Sequence, residues 1–183
     1  MKTFVYICGI CCVFLTSASA QVTTPRWNGY VFFAPGTSTN VFYKELATIH
    51  IGGGAEGFIY KGLGAGAEIG PVIAWSAPGG YAISPPFDRV HGLGSANIAY
   101  HFLPRTTDRK LEPFLTAGYS LFFGIGNSLE IPGRGSTHTQ SGYNVGGGVN
   151  FWLQKKAALR FEVRHQSSIW YKSMDVRMGV TFR

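Results

Sequence analysis

Cysteine is confined to the start of the chain: Cys8, Cys11 and Cys12 are the three it has among 183 residues. With residues 1–20 removed, no disulfide and no thiolate metal site is possible in the remainder. Long apolar runs are missing too. Beyond residue 20, Gly, Asn, Glu or Thr interrupts them every few residues, and none approaches the roughly 20 residues of a membrane-crossing helix. No segment has the period of an amphipathic helix. Acid is scarce, with 9 Asp and Glu against 16 Lys and Arg. The positive excess is scattered, its dense runs being Arg105 to Lys110 and Lys155-Lys156. Nucleic-acid binding calls for a concentrated basic stripe with interleaved aromatics, so that class is set aside. Anionic lipid headgroups explain the excess more economically.

Residues 1–20 read as a secretory signal peptide. Lys2 supplies the positive start, Phe4 to Leu15 the apolar segment, and Ala18-Ser19-Ala20 a small-residue cleavage site before Gln21. The competing reading is a retained N-terminal anchor, for which the apolar run is short. Ile10 precedes Cys11 and Cys11 precedes Cys12, so neither cysteine has the small neighbour that lipoprotein processing prefers. Residues 21–183 then suit one domain by length.

What is present is alternation. Along Leu159-Arg160-Phe161-Glu162-Val163-Arg164 the odd positions are bulky and apolar and the even ones charged; Met174 to Phe182 resumes the pattern. Successive strand side chains point to opposite faces, so each segment has one greasy and one charged face. Eight strands are expected, at 27–34, 46–59, 62–75, 92–103, 112–124, 142–153, 157–166 and 174–183. Most are near the nine to eleven residues of a tilted membrane strand. The first picks no face, because Trp27 to Phe33 mixes aromatics on both parities. Three connections, Pro35–Glu45, Ser76–His91 and Ile125–Ser141, are long and rich in Gly, Pro, Ser and Thr. Those at Lys61 and Gln154-Lys155-Lys156 are tight, and Pro104 to Leu111 is a charged mid-length turn. Ser167 to Ser173 is shorter than the pattern asks. Long connections outside and short ones in the periplasm suit an eight-stranded antiparallel up-and-down transmembrane barrel in the bacterial outer membrane, greasy side to lipid. Tyr60, Phe102, Trp152 and Phe182 would form one aromatic girdle, and Trp75, Phe123, Trp170 and Tyr171 the other.

A soluble lipocalin-like barrel uses the same alternation inverted. Against it, the polar face is dominated by small residues (Gly64, Gly66, Gly70, Gly118, Gly146, Gly148), which suit a cramped interior better than a solvent face. By parity Glu56, Glu68, Arg160, Glu162, Arg164, Asp175 and Arg177, with His50 and His101, point inward. Buried charges persist when paired and hydrogen-bonded, so these form an interior network that plugs the lumen; a small ion-selective pore is the alternative. The dispersed histidines show no metal-ligand spacing, and no cofactor is implied. Gly52 to Gly57 lacks the Lys-Ser/Thr and following helix of a phosphate loop.

One pair could carry chemistry. His165 and Ser167 share the outward face of the seventh strand, and a His two residues from a Ser can serve as base and nucleophile if an acid orients the imidazole. The arrangement resembles the PagL-type lipid A deacylases, small outer-membrane barrels with a membrane-facing His-x-Ser near the C-terminus. That resemblance implies an acyl ester hydrolase using His165 and Ser167. Ser168 stands where that family has Asn, and the nearby acid, Asp175, has inward parity.

A wider resemblance covers nearly all of residues 21–183. Gly57 to Gly64, Leu111 to Tyr119, Gly146 to Trp152, Leu159 to Arg164 and the closing Gly179-Val180-Thr181-Phe182 are similar to the OmpA-like outer-membrane β-barrel proteins. Arg183 departs from that family's terminal aromatic. The resemblance implies fold and location and says little of chemistry, because such barrels host adhesion, anchoring, small pores and enzymes alike. The expected role is structural or surface-interacting, as a monomer amid outer-membrane lipids and lipopolysaccharide. An extracellular partner would be met by loops in which Tyr81, Phe87 and Arg89 are the expected contacts, since Tyr and Arg are favoured at hot spots.

Overall fold

Alternating residues with one bulky and one polar or small side chain form half-buried strands, and eight of them close on themselves. The computed structural model describes residues 27–40, 43–60, 62–76, 89–102, 110–124, 139–168 and 171–183. Its strands are β1 (Trp27–Asn40), β2 (Tyr43–Tyr60), β3 (Leu63–Ser76), β4 (Arg89–His101), β5 (Leu111–Gly124), β6 (Thr139–Trp152), β7 (Ala157–Ser168) and β8 (Tyr171–Phe182). Each pairs antiparallel with its sequence neighbour, and β1 pairs with β8, giving a closed barrel without an edge. The expected signal peptide at 1–20 lies outside the described residues.

The expected strands are all present, and at the end away from the tight turns they run further. Pro35–Glu45, expected as a long loop, is instead mostly ladder: Gly36 pairs with Thr48, Thr37 with Ala47, and Asn40 with Tyr43. Pro, Gly, Ser and Thr looked like loop chemistry, yet a closed sheet gives every backbone group a partner, and that outweighs weak strand propensity. Pro35 leaves a trace. The β1–β8 ladder skips from Phe33 to Gly36, where a residue without N–H cannot donate. Likewise Ser76 belongs to β3, Arg89–His91 to β4, Thr139–Ser141 to β6, and Tyr171–Ser173 to β8.

At the opposite end the β2–β3 turn depends on Gly62. Its φ is 92°, and a Cβ there would strike the His101 carbonyl, so other residues are both strained and blocked.

Outside, the wall is apolar: Ile69, Ile98, Leu115, Tyr119, Phe161 and Val163 are all exposed. A belt of that size is far beyond what soluble monomers leave to water. The lipocalin-like inversion is thereby excluded. The lumen holds the polar groups, together with an apolar group of Val72, Leu93 and Phe122 on one wall. β1 resolves its ambiguity by placing Asn28, Tyr30, Phe32 and Ala34 inside and Trp27, Val31 and Phe33 outside. Tyr60, Phe102 and Phe182 are exposed, as the short-turn girdle requires, but Trp152 is not. Its even position on β6 turns it into the lumen. In the second girdle Phe123 is half-buried over Gly92, and Trp170 lies outside the described residues.

Candidate functional site: the ion-paired lumen

Two groups of charge occupy the lumen. In the central one Glu68 of β3 reaches across the barrel to two arginines: Arg164 Nη1 donates to its Oε1 at 2.6 Å and Arg177 Nη1 to the same oxygen at 2.8 Å. Tyr30 Oη donates to Oε2 at 3.1 Å. Glu162 takes Arg164 Nε on one oxygen and, at 3.1 Å, both Nε and Nη2 of Arg160 on the other. Arg177 Nη2 donates to His50 Nδ1 at 3.3 Å. Aromatic faces fill the gaps. The Arg160 guanidinium lies 4.0 Å from the Phe114 ring centre and 4.6 Å from that of Tyr30, and Arg177 sits 4.5 Å over Phe32. This accounts for the inward aromatics of β1 and β5: buried planar cations are stabilised by planar cover.

The second group lies at the short-turn end. His101 has a carboxylate on each ring nitrogen, Glu56 Oε1 at 2.8 Å from Nε2 and Glu112 Oε1 at 2.6 Å from Nδ1. Glu112 Oε2 accepts from Trp152 Nε1 at 2.8 Å and from Arg183 Nη2 at 3.0 Å. Arg183 also donates to Asn28 Oδ1 at 3.3 Å and stacks 3.4 Å over the Trp152 ring. Gly64 makes room for the arrangement, because the Glu56 carboxylate occupies the place a Cβ would take.

Glu56, Glu68, Arg160, Glu162, Arg164, Asp175 and Arg177 are all buried in the lumen. Six of them engage in ion pairs. Asp175 does not: its carboxylate accepts from Gln166 Nε2 at 2.8 Å, and among the described residues no arginine comes within ion-pair distance. The expected five-member set of Arg160, Glu162, Arg164, Asp175 and Arg177 therefore loses one member, because Arg164, opposite Asp175 in the β7–β8 register, turns to Glu162 and Glu68. The sequence reading missed Glu112, Trp152 and Arg183. The inward parity of Glu112 and Trp152 would have found them, whereas Arg183 follows the last strand and had no parity to read.

On the outer wall His165 faces Val145 and Met174 in the ladders, and Ser167 faces Tyr143 and Lys172. Ser167 is buried. Among the described residues neither side chain hydrogen-bonds the other, and Asp175 is on the lumen side with Gln166. A base–nucleophile–acid line is not assembled. Of the expected loop contacts, Tyr81 and Phe87 lie outside the described residues, and Arg89 opens β4 opposite Ala74.

No family model matches the chain, and no curated protein does. Solved structures match in fold. Neisserial surface protein A superposes with a TM-score of 0.65 at 18% identity, covering 85% of this chain and 96% of that one. The N-terminal β-barrel domain of Pseudomonas aeruginosa OprF gives 0.57 at 15%, covering 87% and 98%. Ail, the attachment invasion locus protein of Yersinia pestis, solved with the heparin analogue sucrose octasulfate, gives 0.58 at 10%, covering 87% and 99%. The fold is thus that of eight-stranded outer-membrane barrels.

Proposed function

We propose that this chain is an integral outer-membrane barrel of the OmpA-like kind, monomeric, with a lumen closed by paired charges and a structural or surface-interacting role. The observation that carries the reading is the pairing of an apolar outer wall with a lumen in which arginines, carboxylates and aromatic rings bind one another. An eight-stranded interior is just wide enough for side chains to fill, which supports a closed lumen. The similar barrels support the location. Partner contact falls to the connections beyond the extended strands and the first residue of β4, with Tyr81, Phe87 and Arg89 as the proposed contacts.

In planar bilayers the native barrel should give no large, steady conductance; such a conductance would replace the plug by a narrow pore. Trimming 77–88, between β3 and β4, to a tight turn should leave heat-modifiable gel migration intact and abolish surface binding. The hydrolase reading is checked by mass spectrometry of lipid A from cells expressing wild type or Ser167→Ala. Loss of one acyl chain with wild type alone would displace the structural role.

A further inference from the structure

Every carboxylate whose side chain is described points into the lumen: Glu56, Glu68, Glu112, Glu162 and Asp175 are all buried. Among the charged residues whose side chains are described, the exposed ones are lysines: Lys110, Lys155, Lys156 and Lys172. Three of these four gather in one sector. Trp152 N–H donates to the Lys110 carbonyl at 2.7 Å, which sets the entry of β5 beside the exit of β6. The β6–β7 turn follows at once, carrying Lys155 and Lys156, and Arg183 N–H fastens the Lys156 carbonyl at 3.0 Å. Glu112, two residues on from Lys110, is held inside by Trp152, Arg183 and His101. Immediately along the wall stand the exposed Leu111, Leu153 and Phe182. A cation cluster edged by an apolar belt has the layout of a phospholipid: phosphate at the rim, acyl chains down the wall.

We infer that the short-turn rim formed by Lys110, Lys155 and Lys156 is a docking surface for acidic phospholipid, with the lysines around the phosphodiester of a phosphatidylglycerol-type headgroup and the acyl chains against Leu111 and Leu153. A phosphatidylcholine headgroup offers the same phosphate but carries its own cation, which competes with the lysines. The remaining exposed lysine, Lys172, is on β8 at the other end of the barrel and serves as the internal control. The inference rests on the membrane reading above, and the test separates the two.

The refolded full chain is placed in nanodiscs containing equal phosphatidylglycerol and phosphatidylcholine. Lipids that stay bound after extraction are weighed by native mass spectrometry. Wild type should retain phosphatidylglycerol preferentially. The triple variant K110Q/K155Q/K156Q should lose that preference by roughly tenfold or more, given about fivefold for each lysine near a charged lipid surface. Lys172→Gln should keep it. All three substitutions are at exposed positions, and heat-modifiable migration confirms that each variant is folded. Equal retention of the two lipids by wild type, an unchanged preference in the triple variant, or an equal loss in Lys172→Gln would each overturn the inference. Failure of wild type to enter even pure phosphatidylcholine discs would instead overturn the membrane reading itself.

Discussion

The central cluster takes three residues from one strand, Arg160, Glu162 and Arg164 of β7, and Arg177 from the adjacent β8, with Glu68 reaching across. The short-turn cluster takes Glu56 from β2, His101 from β4, Glu112 from β5 and Trp152 from β6, and is tied by Arg183 beyond β8. The first is mostly a local pattern: i, i+2 spacing on a strand puts opposite charges on one face, and ladder neighbours complete it. The second exists only once the barrel closes. The two also differ in wetness. Central arginines and carboxylates are almost wholly buried, while the Arg183 side chain stays 18% exposed. Loss of a partner should therefore cost most in the centre and least at the rim.

Glu68→Gln is the harshest test of that gradient. It removes the charge that Arg164 and Arg177 share and leaves two guanidiniums buried from solvent. Destabilisation of about 3–5 kcal/mol is expected in urea unfolding from lipid vesicles, the usual cost of breaking a buried pair. Adding Arg177→Met should recover part of the loss, since one uncompensated cation goes with it; strictly additive losses would mean the two act independently. The native state needs both ends of each contact, and it is the orphaned charge rather than the missing bond that weighs most.

His101→Phe probes the short-turn cluster. The new ring can still pack against Phe58 and Phe114, whose ring centres lie 4.9 and 5.5 Å from the imidazole. Glu56 loses its ion-pair partner, while Glu112 keeps Trp152 and Arg183. A loss of about 1.5–3 kcal/mol is expected, smaller than for Glu68→Gln because one of the two carboxylates stays satisfied. An equal or larger loss in the same unfolding assay would erase the distinction between the clusters.

Gly64→Ala strikes the same cluster through space instead of charge. The added methyl would displace the Glu56 carboxylate from His101. Overpacking of this size costs about 1–3 kcal/mol. Removing the obstructing group with Glu56→Ala should cancel much of the methyl's added penalty. A penalty that survives in the double variant would move its cause to the backbone.

How much of this was legible follows from the same contrast. Strand positions and the inward set on β7 and β8 could be read because period-2 alternation there is strict and the charges are unmistakable. β1 could not be read, since Tyr30 and Phe32 are aromatic yet point inward, where they cover Arg160 and Arg177. A hydrophobicity pattern assigns such rings to lipid. The same bias placed Trp152 in the girdle, although its indole N–H needs Glu112. Strands run past their legible ends on the long-connection side, where Ser and Thr above the apolar belt look like loop. Asp175 was counted into the arginine network by parity alone. Parity fixes the face but not the partner, and Gln166 was nearer to hand.

Arg183→Ala should have the smallest effect, and it tests whether the short-turn cluster is held by charge or by packing. The guanidinium donates to Glu112 and Asn28 and covers the Trp152 ring, but it is partly hydrated. A part-exposed pair contributes about 0.2–1 kcal/mol and a partly exposed cation–ring contact a similar amount. Stability should therefore fall by about 1 kcal/mol, with the barrel still folded. Arg183→Lys separates the terms. A lysine keeps the charge and can still reach Glu112, but it lacks the planar face that lies over the indole. Lys restoring wild-type stability would assign the contact to charge; Lys behaving as Ala would assign it to stacking. Trp152 fluorescence gives a second reading, because uncovering the ring changes its surroundings whichever term dominates stability. The short-turn cluster predicts the stacking outcome. Glu112 already has His101 and Trp152, so losing one charge partner leaves it satisfied, whereas a lysine has no planar face to replace the guanidinium stacked on the indole.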